Sequence, residues 1–261
     1  MPAGAQRLKS GSPSDGFPTV IRSTILSGFP EVICGLSTRN GGVSPEPYGM
    51  NTSFHVNDLP DNVAENRGLF LGALGVQPDT VAIPQQRHTA VVMTVNAAGA
   101  YPECDALVTN VPNVYLCVSV ADCAPVFLFD KAKRVVACVH AGWRGTARKI
   151  ARNAVVRMEK EFGTNATDVV AFIGPSAGQC CYEVGEEVAK EFEEQLVRRG
   201  DGKMYLDIPG ANSIQLRAAG VPESNIEVQG ECTICNSGMY HSYRRDRKMS
   251  GRMMGVIGLR Q

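Results

Sequence analysis

The sequence predicts an α+β fold, with mixed β-sheets flanked by helices in a single domain. Short runs rich in β-branched and aromatic residues recur along the chain, and stretches with apolar residues at helical spacing lie among them without a regular strand-helix alternation. No internal repeat and no linker rich in Pro, Gly and Ser breaks the chain beyond its N-terminus, which keeps its 261 residues within one domain.

Strands are expected at 32–37, 89–95, 115–120, 126–129, 135–139, 169–173, 226–228 and 255–259, where Val, Ile, Phe, Tyr and Thr cluster between turn-forming residues. A helix is expected over 146–162, because Ile150, Ala154, Met158 and Phe162 fall on one face at four-residue spacing. Val184, Val188, Phe192 and Leu196 repeat the pattern and predict a second. Weaker periodicity predicts helices over 62–74 and 212–219. Residues 1–18 read as a flexible tail ahead of a catalytic domain over 19–261, since the first sixteen residues are rich in Ser, Gly and Pro and lack the apolar run of a secretory signal.

Lys plus Arg equals Asp plus Glu at 26 each, so no overall field favours nucleic acid or an anionic membrane, and any anion must be recognised locally. The longest apolar runs, such as 114–120, fall far short of the roughly 20 residues that span a bilayer. Nine cysteines, an odd number with no export signal, argue against a disulfide framework and for a reducing cytoplasm. Cys117 and Cys138, inside apolar runs, read as small buried hydrophobes.

The most informative stretch runs from Ser119 to Gly145 and reads as two strands joined by a Lys-Ala-Lys turn. With Asp130 opposite Arg134, position 124 faces 140, which brings Cys123 close to His140. A Cys beside a His suits metal ligation or thiolate chemistry, and a structural thiol placed there by accident of register is equally compatible with the pairing. His88, at the start of the strand expected over 89–95, supplies a third ligand type. Two His and one Cys suffice for zinc with an open fourth position, the pattern of catalytic sites. Cys232-Thr-Ile-Cys235 resembles half of a structural zinc site, but no second pair has matching spacing and Cys180 and Cys181 are adjacent, so these four read as ordinary thiols. Arg39-Asn-Gly-Gly, Gly142-Trp-Arg-Gly-Thr and Tyr243-Arg-Arg-Asp, the last followed by Ser250-Gly-Arg252, each pair Arg with small residues in a manner suited to anions. A helix start at Thr146 would add free N–H groups.

These residues resemble the YfiH family, also called the laccase-domain or polyphenol oxidase family, which includes purine nucleoside phosphorylases and FAMIN-like enzymes. The likeness spans about 28–259 and rests on Ser37-Thr-Arg-Asn-Gly-Gly-Val-Ser, Asn51-Thr-Ser-Phe-His-Val-Asn-Asp, Gln86-Arg-His88, Asp105-Ala-Leu-Val-Thr, Ala121-Asp-Cys-Ala-Pro, His140-Ala-Gly-Trp-Arg-Gly, Gly174-Pro-Ser and Ser242-Tyr-Arg-Arg-Asp. Cys104 and the Asn57-Asp58 pair depart from the family pattern. The resemblance implies a YfiH-like, cytotoxic-necrotizing-factor-like fold and one zinc ion on His88, Cys123 and His140, with copper able to enter in vitro. It implies phosphorolysis of adenosine, inosine, guanosine or methylthioadenosine with phosphate, and a secondary adenosine deaminase activity; the sequence leaves monomer and homodimer both open. The residues expected to carry the chemistry are Cys123, His140, Asp122 and Arg244. Arg39, Asn51, His55, Arg144 and Arg245 are expected to contact substrate, and Asp122 or Asp105 to orient a ligand histidine.

Two other classes compete. A Cys/His hydrolase acting on a peptidoglycan precursor would use Cys123 as nucleophile and His140 as base without metal. A non-enzymatic module would hold zinc in a closed four-ligand site. The multicopper oxidase of the family's older name needs many imidazoles, and the chain has four, at 55, 88, 140 and 241.

Overall fold

The computed structural model describes residues 17–261. In chain order its strands are β1 (Val20–Ile21), β2 (Val32–Ser37), β3 (Val81–Pro84), β4 (Val92–Thr94), β5 (Gly99–Tyr101), β6 (Ala106–Thr109), β7 (Tyr115–Val120), β8 (Ala124–Asp130), β9 (Val135–Ala141), β10 (Val169–Ile173), β11 (Glu183–Val184), β12 (Val197–Gly200), β13 (Lys203–Leu206), β14 (Ile226–Val228) and β15 (Met253–Leu259). The helices are α1 (Pro60–Leu74), α2 (Trp143–Ala147), α3 (Ile150–Phe162), α4 (Glu186–Ala189), α5 (Ile208–Ala218) and α6 (Tyr243–Asp246). Of the tail expected over 1–18, residues 1–16 lie outside the described ones.

The mixed α and β architecture is as expected. One sheet runs β1-β2-β15-β7-β3-β5, a second β14-β10-β8-β9-β6-β4, and a small third β11-β13-β12. Alternation along the strands dictates the layering, because successive side chains point to opposite faces. Phe127, Phe129, Val136 and Cys138 of the second sheet share one buried cluster with Leu36, Leu116, Val118 and Ile257 of the first. Val126, Leu128, Ala137 and Val139, the intervening residues, pack instead against α3 and α5 through Ile150, Ala154, Met158 and Leu216. Helix α1 covers the outer face of the first sheet, where Phe70 and Leu74 meet Tyr115, Cys117 and Val256. Full burial of each large side chain, such as Ile150 or Met158, contributes about 1.5–3 kcal/mol, so the two faces of the second sheet anchor the site.

Three expectations require correction. The hairpin pairs Asp130 with Val135 rather than Arg134, so Pro125, not Ala124, opposes His140. The Asp130 carboxylate accepts from the amides of Ala132 and Lys133, and Arg134 takes a left-handed φ of 54°, which adds one residue to the loop. The helix expected over 146–162 is two helices, broken where Lys149 adopts φ 64°. Thr146 therefore lies inside the five-residue α2, its amide bonded to the Gly142 carbonyl, and presents no free helix start. The helix expected from Val184 to Leu196 shrinks to α4, because Val184 pairs with Met204 in the third sheet and the Leu196 carbonyl is taken by the Asp207 amide.

Candidate metal centre

His140 is the penultimate residue of β9, and the even-numbered side of that strand faces the first sheet, so the ring emerges at the rim of the core and is 3% exposed. Cys123 immediately precedes β8 in the neighbouring strand position. Its place follows from Asp122, whose left-handed φ of 82° turns the chain out of β7 and into β8. His88 sits outside any strand, contrary to the expected start at 89, and also has positive φ, 58°. Non-glycine residues in this region cost of order 1 kcal/mol or more and persist where surroundings hold them.

Asp105 does the holding. This fully buried carboxylate accepts five hydrogen bonds: from the amides of Arg87, His88 and Thr89 at 3.0, 2.9 and 2.7 Å, from the Thr89 hydroxyl at 2.8 Å, and from Nδ1 of His140 at 2.7 Å. One acid thus shapes the His88 loop and fixes the His140 tautomer, leaving Nε2 of His140 to face the site. The donor atoms of His88, Cys123 and His140 all lie within 4.8 Å of one another, with Nε2 of His88 3.9 Å from Sγ of Cys123. The two imidazoles meet edge to face at 4.9 Å.

The trio suits a tetrahedral metal. Zinc bonded to nitrogen at about 2.0–2.1 Å and to sulfur at about 2.3 Å sets its ligand atoms roughly 3.3–3.8 Å apart, within a small side-chain adjustment of this arrangement. Gly142 keeps the space open: a Cβ there would come 2.9 Å from both Sγ of Cys123 and Cδ2 of His88.

Charge in the metal-free trio is strongly biased. Burial opposes the Cys123 thiolate, but the adjacent His140 and hydrogen bonds from both histidines outweigh it and bring the thiol down to about 6. Burial also opposes charging of His140, which Cys123 and the Asp105 carboxylate overcome, raising it to about 9. For Asp105, burial pushes up, yet hydrogen bonds from His140, Thr89 and Arg87 hold it well below the usual carboxylate range. Cys117 shows the opposite regime: burial pushes it up to about 12, as befits an inert core thiol.

The other expected residues divide by what their polar atoms already touch. Asp122 faces no histidine; its carboxylate accepts from the Thr233 hydroxyl at 2.7 Å and the Arg244 amide at 2.6 Å. Of the two acids considered for orienting a histidine, Asp105 is the one in contact. Arg245 directs its guanidinium at the carbonyls of Thr233, Ile234 and Tyr240 and at the Asp246 carboxylate, which makes it a brace for its loop. Asn51 is fully buried, its amide donating to Ser53 and Asp58 and accepting from the amides of Ser53 and Arg252. Arg39 pairs with Glu46 and donates to the Ser237 carbonyl. Arg244, over the Tyr182 ring at 5.0 Å, donates NH1 to the Glu183 carbonyl, while Arg144 is exposed and stacked on Trp143 at 4.5 Å. His55 is exposed on its loop.

Tyr182 is a neighbour of the site that no sequence motif pointed to, whereas Arg252 belongs to the anion-suited Ser250-Gly-Arg252 segment. Burial pushes the Arg252 guanidinium down against the opposing charges of Asp122 and Cys123, while burial and the charges of Cys123 and Asp122 push Tyr182 up to about 12 against the opposing pull of Arg244. His241 is buried and neutral, burial and the nearby Arg39 and Arg252 pushing it down to about 3. It stands apart from the trio.

Comparison with known proteins agrees with this architecture. The model of a family described as multi-copper polyphenol oxidoreductase laccase matches residues 33–260, and the chain belongs to that family. It is 35% identical to a purine nucleoside phosphorylase of Bacteroides thetaiotaomicron, over 89% of this chain and 93% of the relative. It is 34% identical to adenosine deaminase RL5 of an unknown prokaryotic organism, over 78% and 84%. The crystal structure of Bacillus licheniformis hypothetical protein YfiH superposes with a TM-score of 0.87 at 31% identity, covering 95% of this chain and 98% of that one. The copper cluster in the family description does not fit the residues present. Of the four histidines, two converge, which is too few for a set of copper sites. No helix among the described residues is long and apolar enough to cross a membrane.

Proposed function

We propose that this chain is a zinc-dependent purine nucleoside phosphorylase that also deaminates adenosine, with zinc held by His88, Cys123 and His140. The observation that carries the reading is a three-donor trio with one exposed ligand, His88, and one ligand locked by a buried carboxylate, an arrangement suited to open coordination. An ion bound there supplies positive charge that polarises oxygen and acidifies water near neutral pH. In phosphorolysis, a phosphate oxygen bonds to the ribose anomeric carbon as the bond to the purine nitrogen breaks and the base leaves with a proton. In deamination, water replaces the amino group and ammonia departs.

The residues of the chain do the positioning. Asp105 holds His140 with Nε2 toward the site. Arg244, aligned by its own amide on Asp122, and the exposed Arg144 offer planar N–H forks for phosphate or ribose oxygens. Asp122 acts through Arg244, and Asn51 and Arg245 through the loops they brace. His55 remains a polar contact for the nucleoside.

The test is elemental analysis of the purified chain, then incubation with adenosine and inosine with and without phosphate. Free base with ribose 1-phosphate is expected only with phosphate, and inosine from adenosine in either case. Absence of products from every purine nucleoside overturns the reading. One observation favours a second reading, a Cys/His hydrolase acting on a peptidoglycan precursor: in the metal-free trio Cys123 and His140 form a thiolate and imidazolium pair. That enzyme would work without metal and be killed by thiol alkylation.

A further inference from the structure

The four cysteines read from the sequence as ordinary thiols do not behave as such in the fold. Cys180 and Cys181 lie in the turn that follows β10, Cys232 and Cys235 in the loop that follows β14, and their four sulfur atoms all fall within 4.8 Å of one another. Sγ of Cys235 is 3.4 Å from that of Cys180 and 3.0 Å from that of Cys181. Tetrahedral zinc on four thiolates sets its sulfurs about 3.8 Å apart, whereas a disulfide brings two to about 2.05 Å and leaves the others unused. Four converging sulfurs, none bonded to another, match the first arrangement.

The backbone is shaped to receive thiolates as well. The Gly178 amide, from the opposite segment, donates to Sγ of Cys232 at 3.3 Å. A backbone N–H aimed at a sulfur favours negative charge there. The turn from Cys232 to Cys235 is closed by the Asn236 amide on the Cys232 carbonyl and fastened to the other segment by a parallel bridge from Ser176 to Cys232, with the Thr233 amide on the Ser176 carbonyl. Space is limited to match: a Cβ on Gly178 would sit 3.2 Å from Cβ of Cys232 and 3.4 Å from Sγ of Cys180.

We propose that Cys180, Cys181, Cys232 and Cys235 form a second, closed metal site that takes a divalent zinc ion and has a structural role. Four protein ligands leave no position for substrate. The ion would join two segments that carry little regular structure yet build the wall beside the first site. Thr233, one residue from Cys232, donates to Asp122, and its carbonyl receives Arg245. Glu183, two residues from Cys181, receives Arg244. A clasp at the four sulfurs therefore fixes the two anchor points from which Arg244 is aimed.

Elemental analysis of the wild-type chain, purified under reducing conditions, should give about two zinc ions. His88→Ala should retain about one, with an X-ray absorption spectrum showing four sulfurs at about 2.3 Å and no nitrogen. Cys235→Ser should lose that ion, keep the one on the His88 trio and melt at lower temperature. Should Cys235→Ser fail to fold, the absorption spectrum of His88→Ala still decides the matter. Alkylation followed by mass spectrometry adds an independent reading: the four cysteines should be protected together by zinc and modified together after chelation. A single zinc lost entirely in His88→Ala, a sulfur count well below four, or alkylation of the four cysteines unaffected by zinc would overturn the proposal, as would isolation of a disulfide among them in place of zinc.

Discussion

The His88, Cys123 and His140 trio and the four-cysteine cluster are assembled by opposite means. Two members of the trio, Cys123 and His140, stand at strand ends in the second sheet with His88 on the loop ahead of β4, and a buried carboxylate with five hydrogen bonds holds the histidines from below. The cysteines sit on two loops, held by backbone amides and one isolated bridge. A site braced by the core can spare a coordination position and carry strained residues such as His88 and Asp122. A site that itself braces two loops, as proposed for the cysteines, would have to close around its ion. The contrast separates chemistry from loop stability.

That separation can be broken by substitution. Cys123→Ala should lower phosphorolysis by about three orders of magnitude or more, roughly 4 kcal/mol of barrier, while the zinc at the four cysteines stays bound; turnover assays and elemental analysis check both halves. Asp105→Ala should cost about 3–5 kcal/mol in denaturant unfolding, because the buried His140 and the loop amides lose their acceptor. Asp105→Asn keeps the shape and should weaken metal at the trio by about 10–100-fold, read by competition with a chelator.

Acidity sharpens the comparison next. In the metal-free protein the Cys123 contribution to stability is present at alkaline pH and lost as pH falls through about 6. The His140 contribution is complete below its ordinary value near 6.5 and lost as pH rises through about 9. The pair is therefore strongest between those limits, and iodoacetamide labelling of Cys123 should show a midpoint near pH 6; a midpoint near 9 would remove the thiolate and imidazolium pair. The smallest effects should come from the two glycines. Gly142→Ala, whose Cβ would lie 2.9 Å from two ligand side chains, should impair the trio more than Gly178→Ala, with contacts of 3.2 and 3.4 Å, impairs the cysteine site. Metal affinity at each site is the measurement, and the reverse order would contradict the packing.

The core was readable from the chain because long β-branched runs such as Tyr115–Val120 and Val135–Val139 announce themselves. Short strands such as β5, β6 and β13 escaped, since three or four residues carry little period. The same spacing that reads as helix at Val184–Leu196 arises from a strand, one helical turn and a bend, a difference decided by pairing with Met204 across the third sheet. Convergence of His88 with Cys123 and His140 could be argued from ligand types, whereas the support from Asp105 could not be told from Asp122 before β6 was seen beside β9. Arg245 and Asn51 looked like substrate contacts because polar residues in a motif reveal their type and not their partners. Cys180 and Cys232 lie 52 positions apart, and nothing in their local spacing reports that Ser176 bridges to Cys232.

Asp105 has a bearing on the order of events as the chain matures. Its main-chain carbonyl accepts from the His140 amide and its carboxylate from the His140 ring and the His88 loop, so all three arrive only after β6 has docked on β9. A nascent chain lacking that docking offers a metal only scattered donors. The trio is thus an outcome of folding, protected against premature capture of the wrong ion, and loading at that centre becomes a report that the sheet beneath it is finished.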